Sequence, residues 1–245
     1  MKAMLLRVGI DKGTDGALSP IFGNGSFEFI PISESDPELT ERRTYKKTIG
    51  RSKKPFSTFL PKAIENRRLH SDPEFETCTY GDPTQKRRYL LTLEKDDLLV
   101  FYAGLTPFRN KTYKEGLYIV GYFTVDKVID FNRLTNGEMR EVYSRYSNNA
   151  HLKRRHRLKD LVIVVGDKDK SKLLEKPVLI SQTRLDRISR TYQAVSREME
   201  ARLGISGSIQ RSIPPRVIRG GGNLTELANI LCLNWCRNPA LQMGG

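Results

Sequence analysis

The sequence predicts an α+β fold, a bent or barrel-like mixed sheet with helices packed outside it. Three observations predict it. Residues 98–102 (LLVFY) and 118–125 (YIVGYFTV) are apolar on both faces, the pattern of strands covered from two sides. Gly104, Gly116 and Gly121 punctuate this block, as bulges and barrel corners require. Helical periodicity falls outside the block, in the second half of the chain.

Taken in order, residues 4–10 (MLLRVGI) read as a buried strand, and 11–16 (DKGTDG) as a turn-rich loop. Residues 27–32 (FEFIPI) alternate and read as a second strand, with Pro31 favouring an edge or strand end. Residues 34–73 are polar, basic and poor in periodicity. A segment of that length inside a compact domain is expected to be functional or ordered by a ligand. Strands follow at 77–80, 88–93, 98–105 and 117–128. Residues 136–148 read as a helix with Met139, Val142, Tyr143 and Tyr146 on one face. The basic stretch 151–159 (HLKRRHRLK) leads into a strand at 161–165, and another strand follows at 178–181. Residues 184–203 read as a long charged helix ended by Gly204. A Ser/Pro/Arg/Gly-rich linker at 206–222 precedes a last helix, capped by Asn223 or Thr225 and running through Cys236. Residues 1–205 are therefore expected to form one α+β domain with a basic insertion at 34–73. Residues 206–245 are expected to be a linker and a helix packed on the same domain.

The chain has 245 residues and carries 42 Lys and Arg against 28 Asp and Glu, a net charge of +14. Such a one-sided excess attracts polyanions, because each neutralised phosphate releases counterions. Nucleic acid, DNA or RNA with tRNA among the options, is the expected partner. No apolar run approaches the ~20 residues of a spanning helix, so no membrane partner is expected. The N-terminal apolar run is short and enters Asp11, Lys12 and Gly13, which suits a first strand better than a signal peptide. Cys78, Cys232 and Cys236 fit a reducing compartment, hence a cytoplasmic location, and are expected to be buried free thiols. Neither a cofactor, a metal-ligand set nor an oligomeric state is legible.

Four constellations carry candidate chemistry. Arg7, Gly9, Asp11, Gly13, Asp15 and Gly16 join a buried strand to a Gly/Asp loop. Glycine N–H groups cradle oxyanions and carboxylates hold Mg²⁺, but the same residues also make an ordinary turn. Arg7 needs a partner there, and Glu28 is the candidate. Tyr80, Gly81, Asp82 and Pro83, followed by Lys86, Arg87 and Arg88, form either a turn or a ligand-facing loop. Among Phe101, Tyr102, Tyr118, Tyr122 and Phe123, most are core; Tyr102 and Tyr122 are the choices for stacking on a base. His151, Lys153, Arg154 and Arg155, with Arg42, Arg43, Lys46, Lys47, Lys53 and Lys54 of the insertion, read as contacts to a nucleic-acid backbone or as a solvated face.

Several segments occur together in this order: LLRVGIDKGTDGALSPIFGNGSFEFIPI, TYGDP, DDLLVFYAGL with LYIVGYF, and NNAHLKRRHRLKDLVIVVGDKDKSKLLEKPVLIS. In them the chain resembles the family called nucleotide modification associated domain, type three, over about residues 4 to 181. The resemblance implies a place in base modification of DNA or RNA and carries no catalytic residues over. Residues 96–102 and 118–125 also resemble, less closely, the PUA-like group with its EVE, YTH and ASCH domains, although Asp96 stands where that group has Gly. That likeness implies a bent barrel with a base pocket near Tyr102 and Tyr122.

The leading expectation is a protein of a nucleotide modification system. Its basic surface holds the backbone, and a barrel-side pocket with Gly9, Gly13, Tyr80, Tyr102 and Tyr122 takes a base. If it is catalytic, Asp11 or Asp82 is the base or metal ligand, and Arg7 holds a phosphate or carboxylate. The alternatives are a non-catalytic reader of modified bases and a metal-dependent nuclease or phosphotransferase using Asp11 and Asp15.

Overall fold

The computed structural model describes residues 1–36, 40–154 and 158–233. Twelve strands and five α-helices run along them. They are β1 (Ala3–Val8), β2 (Ser19–Ile21), β3 (Ile32–Ser33), β4 (Leu69–His70), β5 (Thr79–Asp82), α1 (Arg87–Leu90), β6 (Leu98–Pro107), β7 (Gly116–Asp130), α2 (Asn136–Arg145), α3 (Ala150–Lys153), β8 (Val162–Gly166), β9 (Lys172–Leu179), β10 (Ser181–Leu185), β11 (Thr191–Val195), α4 (Arg197–Leu203), β12 (Arg216–Ile218) and α5 (Gly221–Leu231).

The main sheet is mixed and follows the order β12-β1-β6-β7-β8-β5, with β2 added on β6 and β9 on β7. β1 runs parallel to β6 and sets Arg7 opposite Tyr102. The α+β class is as expected, but the barrel-like, PUA-like form is not: the path is open, with β12 and β5 as its unjoined ends. The expected barrel-side base pocket falls with it. The apolar runs on both faces have another cause. All of β6 from Leu98 to Leu105 apart from Gly104 packs into one hydrophobic core, which also takes Phe27, Phe29 and Leu90, and Met199, Leu203 and Leu227 of the two last helices. Instead of turning a corner, β7 pairs with β6 through its first half and with β8 through its second. Gly121 sits at a register shift in both the β6 and the β9 pairing. A β-carbon there would lie 2.7 Å from the Lys172 carbonyl oxygen and 2.9 Å from the Phe75 ring.

The described part of the 34–73 segment has apolar packing of its own. Tyr45, Phe56, Ile64 and Leu69 pack with Ile10 and Ile30 into a small core of their own. Helix α2 starts at a capping box made by Thr135 and Glu138. Its predicted face packs as expected, with Met139, Val142, Tyr143 and Tyr146 against Leu161 and Ile163.

Several elements differ from expectation. Residues 27–32 are not a strand: only Phe27 bridges to Ile21, and the two-residue β3 begins at Ile32. The expected linker at 206–222 carries β12, which pairs with β1. Residues 88–93 form the short helix α1 and a turn, because the buried pair Leu90 and Leu93 is spaced three apart. Residues 184–203 are the β10–β11 hairpin followed by α4. Asp186 accepts the N–H groups of Ile188 (2.9 Å) and Arg190 (2.9 Å), so it makes the turn that interrupts a helix. Ser196 then caps α4, and Gly204 closes it at φ +64°, as predicted. Helix α5 begins after Gly220 without a side-chain cap and ends at Cys232, whose thiol is exposed. Cys78 is buried, and Cys236 lies outside the described residues. No helix among the described residues is long and apolar enough to cross a membrane.

Candidate metal centre and the adjoining cavity

His70 ends β4, and the chain turns tightly after it, the Asp72 N–H donating back to the His70 carbonyl (2.9 Å). His151 comes from α3, which Asn149 caps by accepting the His151 N–H (2.9 Å). Asn149 is itself tied to β5 by its bond to the Thr79 hydroxyl (3.1 Å). One ligating atom each of His70, Asp72 and His151 lies within 4.8 Å of the other two. The imidazole rings meet edge to face with centroids 4.7 Å apart. His151 Nε2 is 3.4 Å from Asp72 Oδ2, while Asp72 Oδ1 accepts the Gly81 N–H (2.9 Å).

A second layer orients the first. His70 Nδ1 lies 2.7 Å from Glu34 Oε2. Arg154 grips the same carboxylate through Nε (2.9 Å) and Nη2 (2.5 Å). Burial alone would raise the Glu34 carboxyl, but the bonds from His70 and Arg154 outweigh it and hold it well below the carboxylate range. Burial also pushes His70 down, against the pull of Glu34, so the ring favours its neutral form. With Nδ1–H given to Glu34, Nε2 keeps the lone pair. Carboxylate–histidine pairs orient metal ligands in this way. Two imidazoles and one carboxylate suit zinc or iron(II) better than magnesium, which prefers oxygen.

A cavity of about 550 Å³ opens at the end of β1, lined by Arg7, Asp11, Lys12, Glu115, Gln210 and Arg211 among others. The chain leaves the strand at Gly9, whose φ of +72° strains any other residue, and where an added β-carbon would lie 3.1 Å from the Phe29 ring. Asp11 Oδ1 accepts the N–H groups of Gly13 and Thr14, both at 2.9 Å. Its Oδ2 and the Gly9 carbonyl both take Arg211. Tyr102 holds that strap in place by donating to the Ile209 carbonyl (3.1 Å). Burial pushes its phenol up to about 12, against the neighbouring Arg7. Lys12 pairs with Glu115 at 2.5 Å.

The charges of both Asp72 and Arg211 act on Tyr80 and on Lys86. Burial raises the Tyr80 phenol and lowers the Lys86 ammonium. Asp82 Oδ1 accepts from the Thr84 N–H (2.7 Å) and hydroxyl (2.5 Å).

A family model described as nucleotide modification associated domain 3 matches residues 2–206. The chain belongs to that family. No curated protein and no solved structure matches it. The part of the chain matched as nucleotide modification associated domain 3 holds the whole His–Asp–His group and Arg7. Arg211 reaches the cavity from beyond it.

Of the residues singled out in the sequence, Arg7, Asp11 and Gly13 line the cavity, Gly9 and Tyr102 hold Arg211 and Ile209 through their carbonyl and hydroxyl, and Tyr80 and Asp82 lie on β5. Tyr122 lies elsewhere, between Val100 and Lys172 in the sheet and close to Cys232. The expected Arg7–Glu28 pair is absent: Glu28 accepts backbone N–H groups of Arg51 (2.9 Å) and Ser52. Asp15 is held by Ser33 and Arg67. Both carboxylates of the loop thus have protein partners.

Among the basic residues, Arg42, Lys46, Lys47, Lys53 and Lys54 are exposed. Others turn inward: Arg43 and Lys153 hold Glu41 at 2.8 and 2.6 Å, Arg154 holds Glu34, and His151 joins the metal group. Arg155 lies outside the described residues. Reading the sequence missed His70, Asp72, Glu34 and Arg211. The available signal was His70-x-Asp72 together with His151 far along the chain.

Proposed function

We propose that this protein is a metal-dependent enzyme of a nucleotide modification system, of the nuclease or phosphotransferase kind. One observation carries the reading: the buried His70–Asp72–His151 group, oriented through Glu34 and Arg154. Three protein ligands leave coordination positions open, the arrangement of catalytic and not of structural zinc sites. A divalent ion held there would supply a Lewis acid for a phosphoryl oxygen. Family membership supports a nucleotide as the substrate. The exposed cations Arg42, Lys46, Lys47, Lys53 and Lys54 supply contacts for a nucleic-acid backbone. Asp11 serves this reading as a strut and not as the base. Burial would raise it, but Arg211 and the loop N–H groups hold it below its usual range, whereas a general base works best near neutrality.

Metal analysis of protein purified without chelator, then reconstituted with Zn²⁺, Fe²⁺ or Mn²⁺, tests the proposal. About one equivalent is expected in the wild type, with loss of both metal and phosphoester cleavage or transfer in His70→Ala and His151→Ala. A wild-type protein that retains none of these ions, or activity that survives in folded His70→Ala, overturns it.

A further inference from the structure

We infer that the cavity at the end of β1 seats a single phosphate group of a nucleotide, with Arg7 as its anchor. The lining charges decide this. Lys12 is matched by Glu115 and Arg211 by Asp11. Arg7 is left over. It forms no hydrogen bond or ion pair among the described residues, and its Nε is a buried donor without a partner. Asp11 does not complete it, because Oδ1 is taken by two loop N–H groups and Oδ2 by Arg211. A partly buried guanidinium facing an open cavity calls for an anion with oxygens spaced for its fork, and phosphate has that geometry.

The rest of the cavity fits the remainder of a nucleotide. Its volume of about 550 Å³ far exceeds one phosphate and lies within the usual size of small-molecule sites. Leu18 and Leu117 give it apolar walls, and Gln210 and Ser212 give it hydrogen-bonding groups. Gly104 keeps the wall in place: a β-carbon there would lie 2.6 Å from Leu18 Cδ2 and 3.7 Å from Arg7 Nη2. One uncompensated cation matches one phosphate better than a di- or triphosphate chain. The inference deepens the proposed function by naming the group recognised, and rests on it for the nucleotide.

Calorimetric titration with a nucleoside 5′-monophosphate, the matching nucleoside and a short single-stranded oligonucleotide tests it. The monophosphate or the oligonucleotide is expected to bind roughly tenfold or more tightly than the nucleoside, with inorganic phosphate competing. Arg7→Gln should lose that margin, and Arg7→Lys, which keeps the charge without the fork, should recover part of it. Tight binding of the monophosphate points to a free nucleotide, and tight binding of the oligonucleotide alone to a nucleotide within a strand. Equal binding of nucleoside and phosphate-bearing ligands by the wild type overturns the inference without any variant. Arg7→Gln that binds like wild type also overturns it.

The His70→Ala protein separates the two proposals. It should lose metal yet keep Arg7-dependent binding. A wild type that binds phosphate but no metal ends the enzymatic reading alone.

Discussion

At Gly81 the absence of a side chain has a direct chemical meaning. A β-carbon there would lie 2.7 Å from His151 Cδ2, 3.3 Å from its Cγ and 3.4 Å from Asn149 Oδ1. The same residue gives its N–H to Asp72. Gly81→Ala therefore presses on one metal ligand while straining the bond that holds another. Overpacking of this kind costs about 1–3 kcal/mol, which a domain of this size tolerates. The expected outcome is a folded protein with a lowered Tm and a weaker metal site, read by competition with a chromophoric zinc chelator. Gly137→Ala, at a helical position with nothing within 4 Å, is the control and should leave metal affinity unchanged. Equal zinc affinity in both variants would remove Gly81 from the site. Glu34→Gln probes the outer layer: it preserves a hydrogen bond to His70 but not the charge, and a loss of about 10- to 100-fold in metal affinity is expected.

Between elements, the 34–73 segment is fastened to α3 by carboxylates that the charge count hides. Burial alone would raise the Glu41 carboxyl, yet hydrogen bonds from Arg43 and Lys153 outweigh it and hold it at about 2, against an ordinary 4.5. A carboxyl depressed on folding contributes stability above its unfolded pKa and loses it as pH falls through the folded one. This contribution is therefore complete above about pH 4.5 and gone near pH 2. Thermal unfolding of wild type and Glu41→Gln across that window isolates it: the difference in Tm should shrink as the pH falls, and parallel curves would refute the tie. These contacts also explain what could be read in advance. The strands β6, β7 and β8 and the helix α2 were legible because burial imprints its period on local sequence. The β10–β11 hairpin was not, since its charged residues mimic a helix face until Asp186 closes a turn. The metal group was hidden for a different reason. His70 and Asp72 sit in a segment whose cations dominate its composition, and His151 joins them only when α3 docks on β5. The Arg7 end of the site, contiguous in sequence, was the easier part to find by reading along the chain.

Across the whole molecule, the net charge of +14 overstates the surface available to a polyanion. Arg43, Lys153, Arg154 and Arg211 are spent on buried or partly buried carboxylates, and they stabilise the fold. Arg42, Lys47, Lys53 and Lys54 are exposed and form no ion pair among the described residues, so this stretch of the insertion keeps four free cations close together in sequence. Each cation that neutralises a phosphate contributes about 0.9 to the salt slope of duplex binding and about 0.7 for single strands. Replacing Lys47, Lys53 and Lys54 together by Gln should flatten the plot of log K against log salt by roughly two to three, with the Tm nearly unchanged. Lys153→Gln, whose ammonium faces Glu41, should do the reverse, lowering the Tm while leaving the slope alone. The measurement is fluorescence anisotropy of a labelled oligonucleotide between about 50 and 200 mM salt, a range over which several phosphate contacts change affinity by orders of magnitude. A triple variant that keeps the wild-type slope would mean that nucleic acid meets this protein on another face.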